Sequence, residues 1–161
     1  MAQTSPATKA DQGRPYTLLS IGGHAILLPQ SEICTLAPIQ DLSLVGRRAS
    51  GVVGWLPFAG RRWPVYCLDE ALHPLPHLPP GQRFCALIKL NTIYFGLVCA
   101  HVAIVPGSAV HIWPVPAAMA MPDSPLQGLS RYADSVALVS TAAALAALLG
   151  AGEAAEPARQ A

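Results

Sequence analysis

Residues 52–68 read VVGWLPFAGRRWPVYCL, two apolar runs that meet at Gly60 with the basic pair Arg61 and Arg62 directly after it. Glycine lets the backbone turn where a Cβ would be penalised, so the stretch reads as a β-hairpin. Pro64 has no backbone N–H, so the second strand either runs along an edge or is interrupted there.

Outward from this hairpin, short apolar runs recur with turn signals between them. Tyr16–Ile21 leads through Gly22-Gly23 into His24–Pro29, a first hairpin. Ile33–Ala37 is a short strand or a turn of helix. Asp69–Leu72 reads as one helical turn, followed by HPLPHLPPG at 73–81, a stiff proline-rich linker that divides the chain into two halves. Phe84–Leu90 and Ile93–Val105 form a hairpin around Asn91-Thr92, and Val110–Val115 and Val136–Val139 supply two more strands. Many short strands at this spacing argue for sandwich or barrel packing rather than alternating β/α units. The last element differs. Ser140-Thr141 offers an N-cap, AAALAALL is helix-forming, and Gly150 stands at the stop. Leu145, Leu148 and Leu149 share a face with Ala142 and Ala146 beside them, either to dock a partner or to plug the chain's own barrel; the plug is expected. Residues 1–15 and 150–161 are polar or Ala/Gly/Pro-rich and read as loose tails.

The 161 residues are 52% apolar and only 12% charged, against roughly 25% in an ordinary soluble domain. A surface so poor in charge is one that a partner or another copy covers. Net charge is +1, too little to hold nucleic acid. The opening MAQTSPATKADQGRP lacks an apolar h-region, and the apolar stretch 84–105 is broken by Lys89, Asn91 and His101, so neither a secretory leader nor membrane insertion is expected. Cys34, Cys67, Cys85 and Cys99 sit in strand-like runs without metal-type spacing and read as buried free thiols of a cytoplasmic protein.

Candidate chemistry is sparse. His73 and His77 stand four apart, but the prolines around them forbid the helix that would make a metal site of that spacing. Cys99 and His101 could pair as nucleophile and base of a hydrolase, yet no orienting Asn or Asp follows nearby. Asp69 and Glu70 are sequence neighbours, whose side chains diverge rather than converge on a substrate. There is no phosphate-binding loop, G-x-S-x-G elbow or dinucleotide fingerprint. No catalytic residue, metal or cofactor is expected.

The order of elements resembles the CheW family, the adaptors that join chemoreceptors to CheA-type histidine kinases. The likeness spans residues 16–149. Its strongest block is GWLPFAGRRWPVYCL, similar to the family's glycine, apolar pair, N-L-R-G and Pro-Val strand, with Gly54, Phe58, Gly60, Pro64, Val65 and Leu68 in matching places. ALIKLNTIYFGLVCAHVAIV resembles the central hairpin ending in G-L-x-V, and LQGLSRYADSVALVSTAAALAALL resembles the closing strand–turn–strand–helix. The resemblance implies a mainly β fold of two intertwined five-stranded SH3-like barrels around a shared core, with a short C-terminal helix. It also implies no catalysis, docking to the kinase regulatory domain, and a groove between the barrels for a chemoreceptor tip. It places Ile33, Thr35, Phe58, Ala59 and Gly60 at or near partner surfaces, although Phe58 equally suits plain core packing.

Charged family positions are lost here. The arginine of N-L-R-G falls at Ala59 and its asparagine at Pro57; a glutamate falls at Thr35, and two aspartates at Cys67 and Ala100. Scaffold kept and charges lost puts receptor docking in question more than barrel-to-barrel docking. The expected function is an adaptor in chemosensory signalling, with type IV pilus twitching motility as one setting. The alternative is a self-associating structural β-barrel without a signalling role.

Overall fold

The protein, seen in a computed structural model, is described at residues 8–9, 13–44, 51–121 and 124–151. Its elements are β1 (Thr8–Lys9), β2 (Tyr16–Ile21), β3 (His24–Pro29), β4 (Ile33–Pro38), β5 (Val52–Phe58), β6 (Arg61–Tyr66), β7 (Phe84–Leu90), β8 (Ile93–Cys99), β9 (Val102–Val105), β10 (His111–Ile112), β11 (Gly128–Tyr132), β12 (Ser135–Val139) and the helix α1 (Ala142–Leu149). Sheet I runs β11-β12-β3-β2-β9 and sheet II runs β4-β7-β8-β6-β5, while β1 and β10 form a two-stranded ribbon.

Side-chain alternation gives each sheet two apolar faces. One face of sheet I carries Leu18, Leu27, Val105 and Val139 around its own core. One face of sheet II carries Val53, Leu56, Trp63, Val65 and Leu87 around another. The remaining faces meet: Leu19, Ile26 and Leu28 of sheet I pack with Tyr66, Ile88, Phe95 and Leu97 of sheet II, and Ala142, Leu145, Ala146 and Leu149 of α1 join them. The helix therefore plugs the chain's own shared core. A register shift between Val52 and Gly54 lets both Val52 and Trp55 face that core, three residues apart, which a regular strand forbids.

The expected closed barrels are instead two open sheets with nearly meeting edges. In sheet II the edges are linked by an isolated bridge, in which Ser43 N–H donates to the Trp55 carbonyl at 2.7 Å and Trp55 N–H returns to Ser43 at 2.8 Å. In sheet I the equivalent link is Trp113 with Leu129, both bonds 2.8 Å. A glycine lies against each bridge. A Cβ on Gly54 would be 2.7 Å from the Ser43 oxygen, and one on Gly128 would be 2.9 Å from the Trp113 oxygen.

Several expectations change in detail. Ile33–Ala37 is strand. Pro64 lies on an internal strand, but the ladder from β6 to β8 begins only at Val65, directly after the residue without a donor. Ile93–Val105 is not one strand: the chain bends at Ala100–His101, where Ser20 bonds both residues, and β9 joins the other sheet. The strands flanking residues 73–81 lie together in sheet II, so the chain crosses between sheets at Gln30–Glu32 and Ala100–His101 instead. Asp69–Leu72 is a turn rather than helix; the Asp69 carboxylate accepts from Ala71 N–H and His73 N–H, both at 2.9 Å, and Leu72 adopts φ 61°. Of the expected strand 110–115 only His111–Ile112 forms, its neighbourhood being limited by Pro106, Pro114 and Pro116. Within the expected tails, Thr8–Lys9 pairs with β10 and Ala151 is buried against the shared core, while residues 152–161 lie outside the described set.

Candidate functional site

The five residues expected at partner surfaces fall in two places. Ile33 and Thr35 lie on β4, one edge of sheet II; Phe58, Ala59 and Gly60 form the tip of the β5–β6 hairpin on the opposite edge. Ile33 is half-buried and packs on the shared core. Thr35 is half-buried and, two residues before Ala37, faces the core of sheet II. These two read as framework. Phe58, Ala59 and Gly60 are all exposed.

The hairpin tip is a two-residue loop between the paired Phe58 and Arg61. Ala59 has φ 52° and Gly60 φ 74°, the pair of positive values that a type I′ turn requires. Ala59 thus occupies a conformation that costs a non-glycine residue about 1 kcal/mol or more. Phe58 is 39% exposed and meets Trp63 edge-on at 6.0 Å, and Trp63 meets Tyr94 the same way at 5.2 Å. The Trp63 indole N–H donates to the Phe58 carbonyl at 3.0 Å, so the tip is held by a buried side chain. A depression of about 390 Å³ is lined by residues 57–62.

A second feature lies between the sheets. A groove of about 680 Å³ is lined by Ser20, His24, Asp69, Glu70, His101 and Val136, among others. The His24 Nε2 lies 2.6 Å from the Glu70 carbonyl, linking the β2–β3 turn to the segment after β6. Gly22 makes that approach possible, because a Cβ there would run into the Asp69 carbonyl. Sequence reasoning missed Glu32, whose carboxylate accepts the Ala142 N–H at 3.0 Å while Thr141 accepts from Ala144 at 3.1 Å. One acid thus ties the first crossover to the start of α1, 110 residues away. No local pattern in the sequence signals such a contact.

The candidate nucleophile does not hold. Cys99 is buried, its Sγ is 3.7 Å from the Phe84 carbonyl, and burial pushes its pKa up to about 12, with Cys85 adding to the shift and a backbone hydrogen bond from Ala86 opposing it. Burial likewise raises Cys67 to about 11 and Cys85 to about 12, the latter assisted by Asp41 and Cys67. Such thiols carry almost no thiolate at neutral pH. Cys34, expected to be buried, is exposed on the outward side of edge strand β4. His73 and His77 are exposed, and among the described residues no three His, Cys, Asp or Glu side chains gather as a metal site would need. No described helix is long and apolar enough to cross a membrane.

The double sheet with a shared helical core can be compared directly with solved structures. Over 81% of this chain and 85% of the other, it superposes on the crystal structure of the scaffolding protein TtCheW from Thermoanaerobacter tengcongensis, at 11% sequence identity and a TM-score of 0.58. The chain has a CheW-like fold. No family model matches the sequence, and no curated protein matches it. At this identity, the CheW likeness is one of architecture: the same layout is reached with different side chains.

Proposed function

We propose that the protein is a non-catalytic, cytoplasmic adaptor of chemosensory signalling that spans residues 16–149 and docks the regulatory domain of a CheA-type histidine kinase, in a pathway such as that of type IV pilus motility. The observation that carries this reading is the exposed tip Phe58–Ala59–Gly60 on a CheW-like fold, in the stretch whose sequence resembles the family's N-L-R-G block. The tip is presented by a rigid aromatic support rather than a loose loop, which lowers the ordering cost of docking. The groove between the sheets is the proposed seat of a receptor tip.

The test is separate capture of a kinase regulatory domain and of a receptor tip by the full chain. Kinase-domain binding with weak or absent receptor binding is expected. No complex with the kinase domain at high micromolar concentration sinks the adaptor reading. Sedimentation of the protein alone separates the competing structural-module reading, which demands a stable homo-oligomer where the adaptor is a monomer. Ala59→Arg with Thr35→Glu is expected to fold and to strengthen receptor binding; a folded variant without gain means that the receptor surface is unused.

A further inference from the structure

The five strands of sheet II contain no Asp or Glu, and the span from Leu42 to Leu68 carries four arginines and no carboxylate. The four nearest acids in sequence are accounted for elsewhere. Glu32 is tied to the helix N-terminus. Asp41 follows the far end of β4. Asp69, with Glu70 beside it, lies eight residues along from Arg61, about 26 Å in an extended strand, several times the Debye length of about 8 Å at physiological salt.

Alternation places Phe58, Arg61, Trp63, Tyr94 and Lys89 on one face of sheet II, the face around that sheet's own core. They stand at its turn end, where β5–β6 and β7–β8 reverse. Trp63 and Tyr94 floor this mouth, and Phe58 stands proud of it. Arg61 lies over the Tyr94 ring at 5.1 Å, and Lys89 is paired directly opposite Tyr94. A cation over a ring face is attracted by the ring's quadrupole while its charge stays available to a partner. Both cations are exposed, and neither has an ion pair among the described residues.

We propose that this mouth is a docking site for an acidic protein segment carrying an apolar or aromatic anchor. Carboxylates would pair with Arg61 and Lys89 while the anchor packs beside the exposed Phe58 ring. The exposed Phe58 ring supplies apolar contact, and the two cations supply orientation and exclude basic partners. The inference takes its position from the partner-facing tip of the adaptor reading, but its chemistry is independent of which partner bears the segment.

The probe is a fluorescein-labelled peptide Glu-Glu-Leu-Phe-Glu-Glu, titrated with the full chain by fluorescence anisotropy. The glutamine version of that peptide and a short oligothymidylate serve as comparisons. Binding of the acidic peptide alone is expected, weakening as salt is raised. Arg61→Gln with Lys89→Gln is expected to reduce affinity about thirtyfold, the size of two exposed ion pairs at their upper values. Arg83→Gln with Arg131→Gln, exposed cations elsewhere, is expected to leave it unchanged. Circular dichroism melts confirm that both variants fold. Equal loss in the two double variants, equal binding of the glutamine peptide, or tighter binding of the oligonucleotide overturns the proposal. Peptide binding without kinase-domain capture overturns the adaptor reading and leaves this site standing; kinase capture that survives Arg61→Gln with Lys89→Gln, without peptide binding, does the reverse.

Discussion

Gly54→Ala tests whether the Ser43–Trp55 bridge ties the edges of sheet II together. The new Cβ would sit 2.7 Å from the Ser43 carbonyl oxygen and 2.9 Å from Leu42 Cδ1. Leu42 can rotate away. The Ser43 oxygen cannot, because it accepts the Trp55 N–H at 2.8 Å while Ser43 N–H donates back at 2.7 Å. Relief therefore strains or opens the bridge. Two backbone hydrogen bonds are worth about 1 kcal/mol each net, and overpacking by a methyl costs about 1–3 kcal/mol. These overlap, so a loss of about 2–4 kcal/mol is expected. Gly54 is not in the left-handed region, so alanine pays no backbone penalty there and the loss is steric. Gly60→Ala is the opposite case: φ is +74° and nothing lies within 4 Å of its Cβ, so it pays only a conformational cost of about 1–2 kcal/mol. Urea unfolding followed by circular dichroism reads both. With a slope of about 1–3 kcal/mol per molar for a small protein, Gly54→Ala lowers the midpoint by about 1 M or more. A Gly54→Ala loss no larger than that of Gly60→Ala refutes the reasoning, for the edges would then separate without consequence.

Three further outcomes are expected. Ala59→Asn relieves the left-handed strain at the hairpin tip and raises stability by about 0.5–1 kcal/mol; a destabilised variant in the same urea titration rules out the type I′ turn. Tyr66→Phe removes a buried hydroxyl without a hydrogen-bond partner among the described residues, so stability is unchanged or higher by up to about 1 kcal/mol. The phenol also sets a pH dependence: burial raises its pKa from 10.0 to about 12, so the unfolded chain ionises first and stability falls as pH rises through that window. Tyr66→Phe should flatten that limb of the stability profile, and an unchanged limb contradicts the burial. Finally, native alkylation should modify Cys34 quickly and Cys67, Cys85 and Cys99 only on unfolding; mass spectrometry showing rapid labelling at Cys99 would falsify its burial.

Legibility followed the range of the interactions. The hairpins β2–β3 and β5–β6 were readable because glycine turns and apolar runs are local signals, and α1 was readable from Thr141 through Gly150 for the same reason. The break at Ala100–His101 was not, since its cause is Ser20, eighty residues earlier in the chain. Cys34 looked as buried as its neighbours because strand composition does not reveal which side of an edge strand is uncovered. The expected partner residues divided on the same ground: Phe58–Gly60 stand on a turn, where exposure follows from local geometry, whereas Ile33 and Thr35 lie on a strand whose faces are assigned only by what packs on them.

By itself, the sequence determined that this chain is built of short β-strands with one terminal helix, poor in charge and lacking a recognisable catalytic constellation, because alternation, turn residues and composition act within a few residues. Only the tertiary structure decided that the strands form two interleaved open sheets, the edges of each linked among the described residues by a bridge beside a glycine. It also decided that Phe58, Arg61, Tyr94 and Lys89 share one mouth. Those residues come from four different strands, and sheet pairing between distant segments is what brings them together.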